Sequence, residues 1–183
     1  MAWQQTFAQI GRTLGKDVQS DREQLLLAVT ELAEQLEDFE SLQVRTMRLC
    51  KLVQGYGVFQ PFKTNRFLVG RQHPVIIYTE LENFQRETGP TGQYVVRLTQ
   101  EVALYTATSD ALKIWGTKPV TFDDTSRNRR RDFYTTHPIR LPARLPPNRY
   151  LLKLTITDEI AQTVDEATLP IEVVADPKLV AGE

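Results

Sequence analysis

The sequence predicts a mainly β fold, a two-sheet antiparallel sandwich preceded by a helical segment. Three observations predict it. The apolar period over the first forty residues is helical, it changes to two from Ser41 onward, and some seven short alternating runs then follow without a helical pattern between them.

Trp3, Phe7, Ile10 and Leu14 recur at spacings of four, three and four, which puts them on one helical stripe, and Gly15 supplies a stop. Ser20 followed by Glu23 reads as a capping box. Leu25, Val29, Leu32, Leu36 and Phe39 continue the stripe, with Glu31, Glu34 and Glu37 on the wet side. Helices are therefore expected near residues 2–14 and 21–39. The pair reads as a helical hairpin, or as the end of a coiled coil that meets a partner or a second copy.

The strand runs come next. Ser41–Val53, Val75–Phe84, Leu112–Trp115, Phe133–Leu141 and Thr168–Val174 are candidates, and two others are clearer. Tyr94–Thr106 sets Tyr94, Val96, Leu98, Val102 and Leu104 against Arg97, Thr99 and Glu101, as a sheet buried on one face requires. Tyr150–Thr157 repeats that alternation. Pro138 and Pro170 fall inside strands, which places those strands at edges or bulges. Turn signals at Lys63–Asn65, Thr88–Gly92, Ser109–Asp110, Pro142–Asn148 and Asp158–Asp165 separate the runs. The expected organisation is a helical appendage over 1–40, the sandwich over 41–175 and a tail over 176–183.

One local feature selects among sandwiches. Leu145-Pro146-Pro147-Asn148-Arg149-Tyr150 is a turn delivering a tyrosine to the start of an alternating strand. It resembles the tyrosine corner, whose phenol bonds back to upstream backbone, so an immunoglobulin-like or fibronectin type III-like sandwich is expected.

Composition bounds the function. With 22 Lys plus Arg against 23 Asp plus Glu the formal charge is −1, too balanced to coat a polyanion. Hydrophobic residues at 41% and charged residues at 25% fit a folded chain. Cys50 is the single cysteine and there are two histidines, so neither an internal disulfide nor a four-ligand zinc cluster can form. No apolar run reaches the roughly 18 residues of a transmembrane helix, and Gln4, Gln5, Gln9 and Arg12 interrupt any secretory core.

Gly55-Tyr56-Gly57-Val58-Phe59, Phe67, Gly70, Tyr78 through Phe84, and Arg127-Asn128-Arg129-Arg130-Arg131-Asp132-Phe133 together resemble a family of planctomycete-type bacterial proteins with no assigned function. The segment from Leu145 to Val173 is similar to the immunoglobulin-like ends of bacterial envelope proteins. The resemblance spans residues 41–175, implies a β-sandwich and brings no catalytic or ligand residue with it. If the chain is a piece of a larger protein, the analogy leans toward the cell envelope.

Catalytic motifs are absent: no nucleophile elbow, phosphate loop, dinucleotide fingerprint, HExxH or CxxC. His73 and His137 each precede a proline and read as structural, and Cys50 reads as a small buried hydrophobe. Asp123-Asp124 and Asp158-Glu159 are paired acids assigned to turns. Two features rise above this background. Arg127, Arg129, Arg130 and Arg131 form a dense cation run, read as a face paired with Glu80, Glu82, Asp123 or Asp124 rather than as a nucleic-acid patch. Tyr56, Phe59 and Phe62 sit in a loop punctuated by glycines and a proline, read either as a plug for one end of the sandwich, as Trp115 is, or as a platform for sugars or a partner. The reading is a non-catalytic module for a protein partner, with no cofactor, metal or nucleic acid. A carbohydrate-binding module is the alternative, and an enzyme with an unrecognised site comes third.

Overall fold

A computed structural model describes residues 18–37, 41–130 and 132–180. The chain divides into two compact units, Met1–Ser41 and Leu42–Glu183.

In the first unit the described residues form one helix, α1 (Val18–Glu37). Leu25 and Leu32 are half-buried, whereas Leu26, Leu27 and Val29 are exposed. Ser20 lies inside α1, so it is not the N-cap that its spacing to Glu23 suggested. Nothing in Lys16-Asp17-Val18-Gln19 breaks a helix, and the nearest breaker upstream is Gly15. The helix expected over 2–14 lies outside the described residues.

The second unit is an antiparallel β-sandwich. Its strands are β1 (Gln43–Gly55), β2 (Val58–Pro61), β3 (Arg66–Leu68), β4 (His73–Glu82), β5 (Glu87–Thr88), β6 (Tyr94–Thr106), β7 (Lys113–Gly116), β8 (Val120–Ser126), β9 (Asp132–Leu141), β10 (Asn148–Asp158) and β11 (Thr163–Val174). One sheet runs β2-β1-β4-β9. The other runs β3-β11-β10-β6-β5, with β7 and β8 also paired to β6 and β3 joining β11 in parallel. Between the sheets, Leu49, Val75, Ile77, Leu81, Ile139 and Leu141 meet Leu98, Val102, Leu104, Leu152, Leu154 and Ile156 in one core. Gln100 is one of the polar groups buried with them, and its side-chain oxygen accepts from the Thr135 hydroxyl at 3.2 Å across the layers.

β6 coincides with its expected span, because Val96, Leu98, Val102 and Leu104 at even spacing fit an extended chain with one face buried. The prolines take the places that a missing N–H allows. Pro138 stands in β9, at the edge of the four-stranded sheet, and Pro170 stands in β11 ahead of the stretch that β3 covers. Tyr150 is buried, and its hydroxyl donates to the Pro146 carbonyl at 2.7 Å, across the turn that delivers it.

Two departures share one cause, which is polar sequence held extended by charged and hydrogen-bonded partners. Asp123 and Asp124 lie in strand β8 rather than in a turn, where Arg97 and Arg130 hold them at 3.0 and 2.9 Å. β11 begins at Thr163, inside a segment read as a loop. There Asp165 accepts from the Val44 amide at 2.7 Å and Glu166 pairs with Lys153. The turn before it is set by Asp158, fully buried, whose carboxylate accepts from the amides of Gln85, Ile160 and Ala161 at 2.6, 2.9 and 3.0 Å. The segment read as a C-terminal tail continues as a short 3-10 turn (Pro177–Leu179), capped by Asp176 accepting from the Lys178 amide at 2.9 Å.

Candidate functional site

The aromatic loop is the hairpin joining β1 and β2. Its turn is Tyr56-Gly57, and Gly57 has φ +65°, a conformation that costs a glycine nothing. Register shifts between Cys50 and Leu52 and between Val53 and Gly55 bend the hairpin, as inserted residues do. The bend carries it over the outer face of its own sheet. Val75, Ile77, Thr79 and Leu81 face the core, so Tyr78 points the other way, yet Tyr78 is fully buried. The hairpin covers it. The Gly57 amide donates to the Tyr78 hydroxyl at 2.7 Å, and that hydroxyl donates to Glu80 at 2.7 Å. Burial, together with the Glu80 carboxylate holding the phenolic proton, pushes the Tyr78 pKa up to about 12, against a smaller opposing pull from the Gly57 amide.

The three candidate rings fall into two groups. Phe59 packs on Tyr78 with centroids 4.4 Å apart, Tyr78 lies 5.8 Å from Tyr134, and Tyr56 meets Tyr134 edge-on at 6.2 Å. Phe62 belongs to a different group, 5.5 Å from Phe67 and packed against the main core. The hairpin is thus a lid on an outer face rather than a plug in the end of the sandwich, because the bulges turn it sideways. At its tip Leu52, Tyr56 and Val58 stay exposed, at 48%, 48% and 54%.

The arginine run is a loop between β8 and β9. Arg130 bonds Asp124 and lies 6.0 Å from the Phe133 ring. Arg127 is exposed, Arg129 is half-buried, and Arg131 lies outside the described residues. Of the other acids considered for the run, Glu80 takes the Tyr78 phenol and Glu82 pairs with Arg45 at 2.9 Å. Trp115 is half-buried against the core from β7.

The remaining candidate reactive groups are held in structure. Cys50 is fully buried, and burial pushes its thiol pKa up, away from a thiolate. His137 faces the core, where burial lowers its pKa. The His73 Nε2 lies 2.8 Å from the Leu68 carbonyl, to which it donates. Among the described residues no three His, Cys, Asp or Glu side chains gather as a metal site.

Sequence reasoning missed one feature. At the foot of the hairpin a hollow of about 360 Å³ is lined by Lys51, Lys63, Arg66 and Arg71 around Phe62, Phe67 and Leu68, with Pro177 and Val180 closing one side. Among the described residues no carboxylate lines it. A second hollow of about 590 Å³ shares Lys51, Phe62 and His73 with it and continues over Ile76, Pro138 and Arg140. The signal was in the sequence: from Ser41 to Thr79 there is no acidic residue, while Arg45, Arg48, Lys51, Lys63, Arg66 and Arg71 are basic. These cations are too dispersed to look like a cluster until β1, β3 and the turns fold together.

No protein-family model matches the chain, and no curated protein matches it. The planctomycete-type resemblance therefore gains no support from these comparisons. Among solved structures, the chain is similar to the C-terminal domain of Wzt at 15% identity, covering 74% of each chain with a TM-score of 0.41. It is similar to the CARDB domain of a Pyrococcus furiosus protein, in complex with di-metal ions, at 12% identity over 76% of this chain and 97% of that one, TM-score 0.41. An immunoglobulin-like protein from Pseudomonas aeruginosa is similar at 9% identity over 74% and 98%, TM-score 0.35. Scores of this size carry no functional argument, and the sandwich assignment rests on the strand pairing itself.

Proposed function

We propose that this chain is a non-catalytic interaction module, an immunoglobulin- or fibronectin-like sandwich that serves a larger bacterial protein or assembly by presenting the β1–β2 hairpin to a protein partner. The observation that carries this reading is the exposed tip of the hairpin. Leu52, Tyr56 and Val58 stand in solvent on an arm that Phe59 and the Gly57 amide pin to Tyr78. Apolar side chains held rigid and exposed together make an economical contact surface, since little side-chain freedom remains to be lost on binding. The carbohydrate alternative required Tyr56, Phe59 and Phe62 to share one platform, and Phe62 lies with Phe67 against the core, apart from the cluster of Phe59, Tyr78, Tyr134 and Tyr56.

The test is capture by the full chain from a lysate of its source, compared with the triple variant Leu52→Ser, Tyr56→Ala, Val58→Ser. Partners lost from the variant while its circular dichroism is unchanged are the expected outcome. Identical capture by both proteins would remove the hairpin from the reading.

A specific observation favours a second surface. Leu26, Leu27 and Val29 of α1 are exposed at 58%, 64% and 50%. These residues support a partner contact or self-association through the helix, which sedimentation over a concentration series would detect.

A further inference from the structure

We infer that α1 pairs with a cationic amphipathic helix of a partner protein, through Leu26 and Val29 with Glu23 and Glu31 beside them. The inference rests on the interaction-module reading, through its second surface and not through the hairpin.

The helix carries more apolar surface than its own packing uses. Leu25, Ala28 and Leu32 recur at spacings of three and four and are half-buried, so that stripe already gives α1 an inward face. Leu26, Leu27 and Val29 lie off that stripe and are exposed, where a solvated helix carries polar residues. Leu26 and Val29 are three apart and therefore neighbours on the helix surface. Thr30, beside Leu26, spends its hydroxyl on the Leu26 carbonyl at 2.7 Å, so it can enter an apolar contact with no hydrogen bond left unmade.

Charge decides the occupant. α1 holds Arg22 against Asp21, Glu23, Glu31, Glu34 and Glu37. Glu23 precedes Leu27 by one turn and Glu31 follows it by one turn, and both are exposed. Among the described residues neither has an ion-pair partner. A helix with apolar residues between two lysines or arginines about 12 Å apart, the rise over eight residues, complements this surface. A second copy does not. Parallel pairing sets Glu23 against Glu23 and Glu31 against Glu31, and antiparallel pairing about Leu27 sets Glu23 against Glu31, so carboxylates meet in either direction. A membrane surface fits no better, since helices that lie on anionic lipid carry Lys and Arg on the polar face.

The test is fluorescence anisotropy on the full chain. The probe is a fluorescein-labelled helical peptide with Leu along one face and Lys beside it, set against the same peptide with Glu in place of Lys. The Lys peptide should bind and the Glu peptide should not. Leu26→Ser with Val29→Ser, both exposed positions, should raise Kd by about tenfold or more with unchanged circular dichroism, as expected for losing two apolar anchors. Glu23→Lys with Glu31→Lys should abolish binding of the Lys peptide and create binding of the Glu peptide, an exchange that misfolding could not produce. Glu87→Lys with Asp110→Lys makes the same change in net charge elsewhere and should leave Kd unchanged. Equal weakening by both charge pairs would overturn the inference, since net charge alone would then explain binding. Self-association of the full chain that disappears in Leu26→Ser, Val29→Ser would make a second copy the occupant and overturn it. Co-sedimentation with phosphatidylcholine–phosphatidylserine vesicles, lost in the same variant, would overturn it in favour of a membrane. Failure of the Lys peptide to bind, with capture still dependent on Leu52, Tyr56 and Val58, would overturn the helix inference and leave the module reading standing.

Discussion

The two outer faces of the sandwich solve the same problem in opposite ways. On the seven-stranded sheet the outward side chains are wet and paired across strands: Lys113 with Glu101 at 2.8 Å, Lys153 with Glu166 at 2.6 Å and Arg97 with Asp123 at 3.0 Å. On the four-stranded sheet the outward Tyr78 is fully buried beneath the folded-over hairpin, and the outward Cys50 is fully buried too, both outside the main core. The difference lies in two register shifts that bend β1 and β2. A sheet face that is merely solvated can be altered at little cost, whereas a face under a lid becomes part of the stability of the unit. The candidate contact surface of the β unit lies at the tip of that hairpin.

The largest effect should come from the lid. Tyr78→Ala removes a fully buried ring and strands the Gly57 amide, and should destabilise the β unit by about 3–5 kcal/mol. Urea titration measures it, and a loss comparable to that of an exposed substitution would show that the hairpin is no lid.

The same contact predicts a pH dependence. Tyr78 holds its proton up to about 12 in the folded chain, against 10.0 for an unperturbed phenol. A folded pKa above the unfolded one contributes stability that is fully present below pH 10 and is lost as pH rises through about 12. Alkaline titration followed by phenolate absorbance should therefore show a component near 12 that Tyr78→Phe removes. Titration of all six tyrosines in one step near 10 would break the comparison.

Away from the lid the effects shrink. Tyr150→Phe loses one buried hydrogen bond to the Pro146 carbonyl and should cost about 1 kcal/mol, read as a lowered melting midpoint. Smallest of all, Lys153→Ala with Glu166→Ala on the wet face should change stability by less than about 1 kcal/mol, because both side chains are partly exposed and salt screens them. A larger coupling in a double-mutant cycle would mean that the two faces differ less than their burial implies.

The legible parts of this protein are those in which one residue's neighbours along the chain decide its environment. Val96, Leu98, Val102 and Leu104 alternate with polar residues, and only an extended strand with one buried side satisfies that order, so β6 and the sandwich could be read directly. Pro146-Pro147 before Tyr150 carried its own turn chemistry in the same way. The tertiary structure decided what depends on residues brought from far apart. Asp123 became a strand residue because Arg97 lies opposite it, and Asp165 because the Val44 amide reaches it from the other sheet. Tyr56, Phe59 and Phe62 looked like one loop, but bulges that no local pattern announces part Phe62 from the cluster that Tyr56 and Phe59 share. Lys51, Lys63, Arg66 and Arg71 came to line one hollow only when β1, β3 and two turns met. Alternation is a property of the chain, whereas the potential inside a hollow is a sum over distance, and distances between remote residues exist only once the chain has folded.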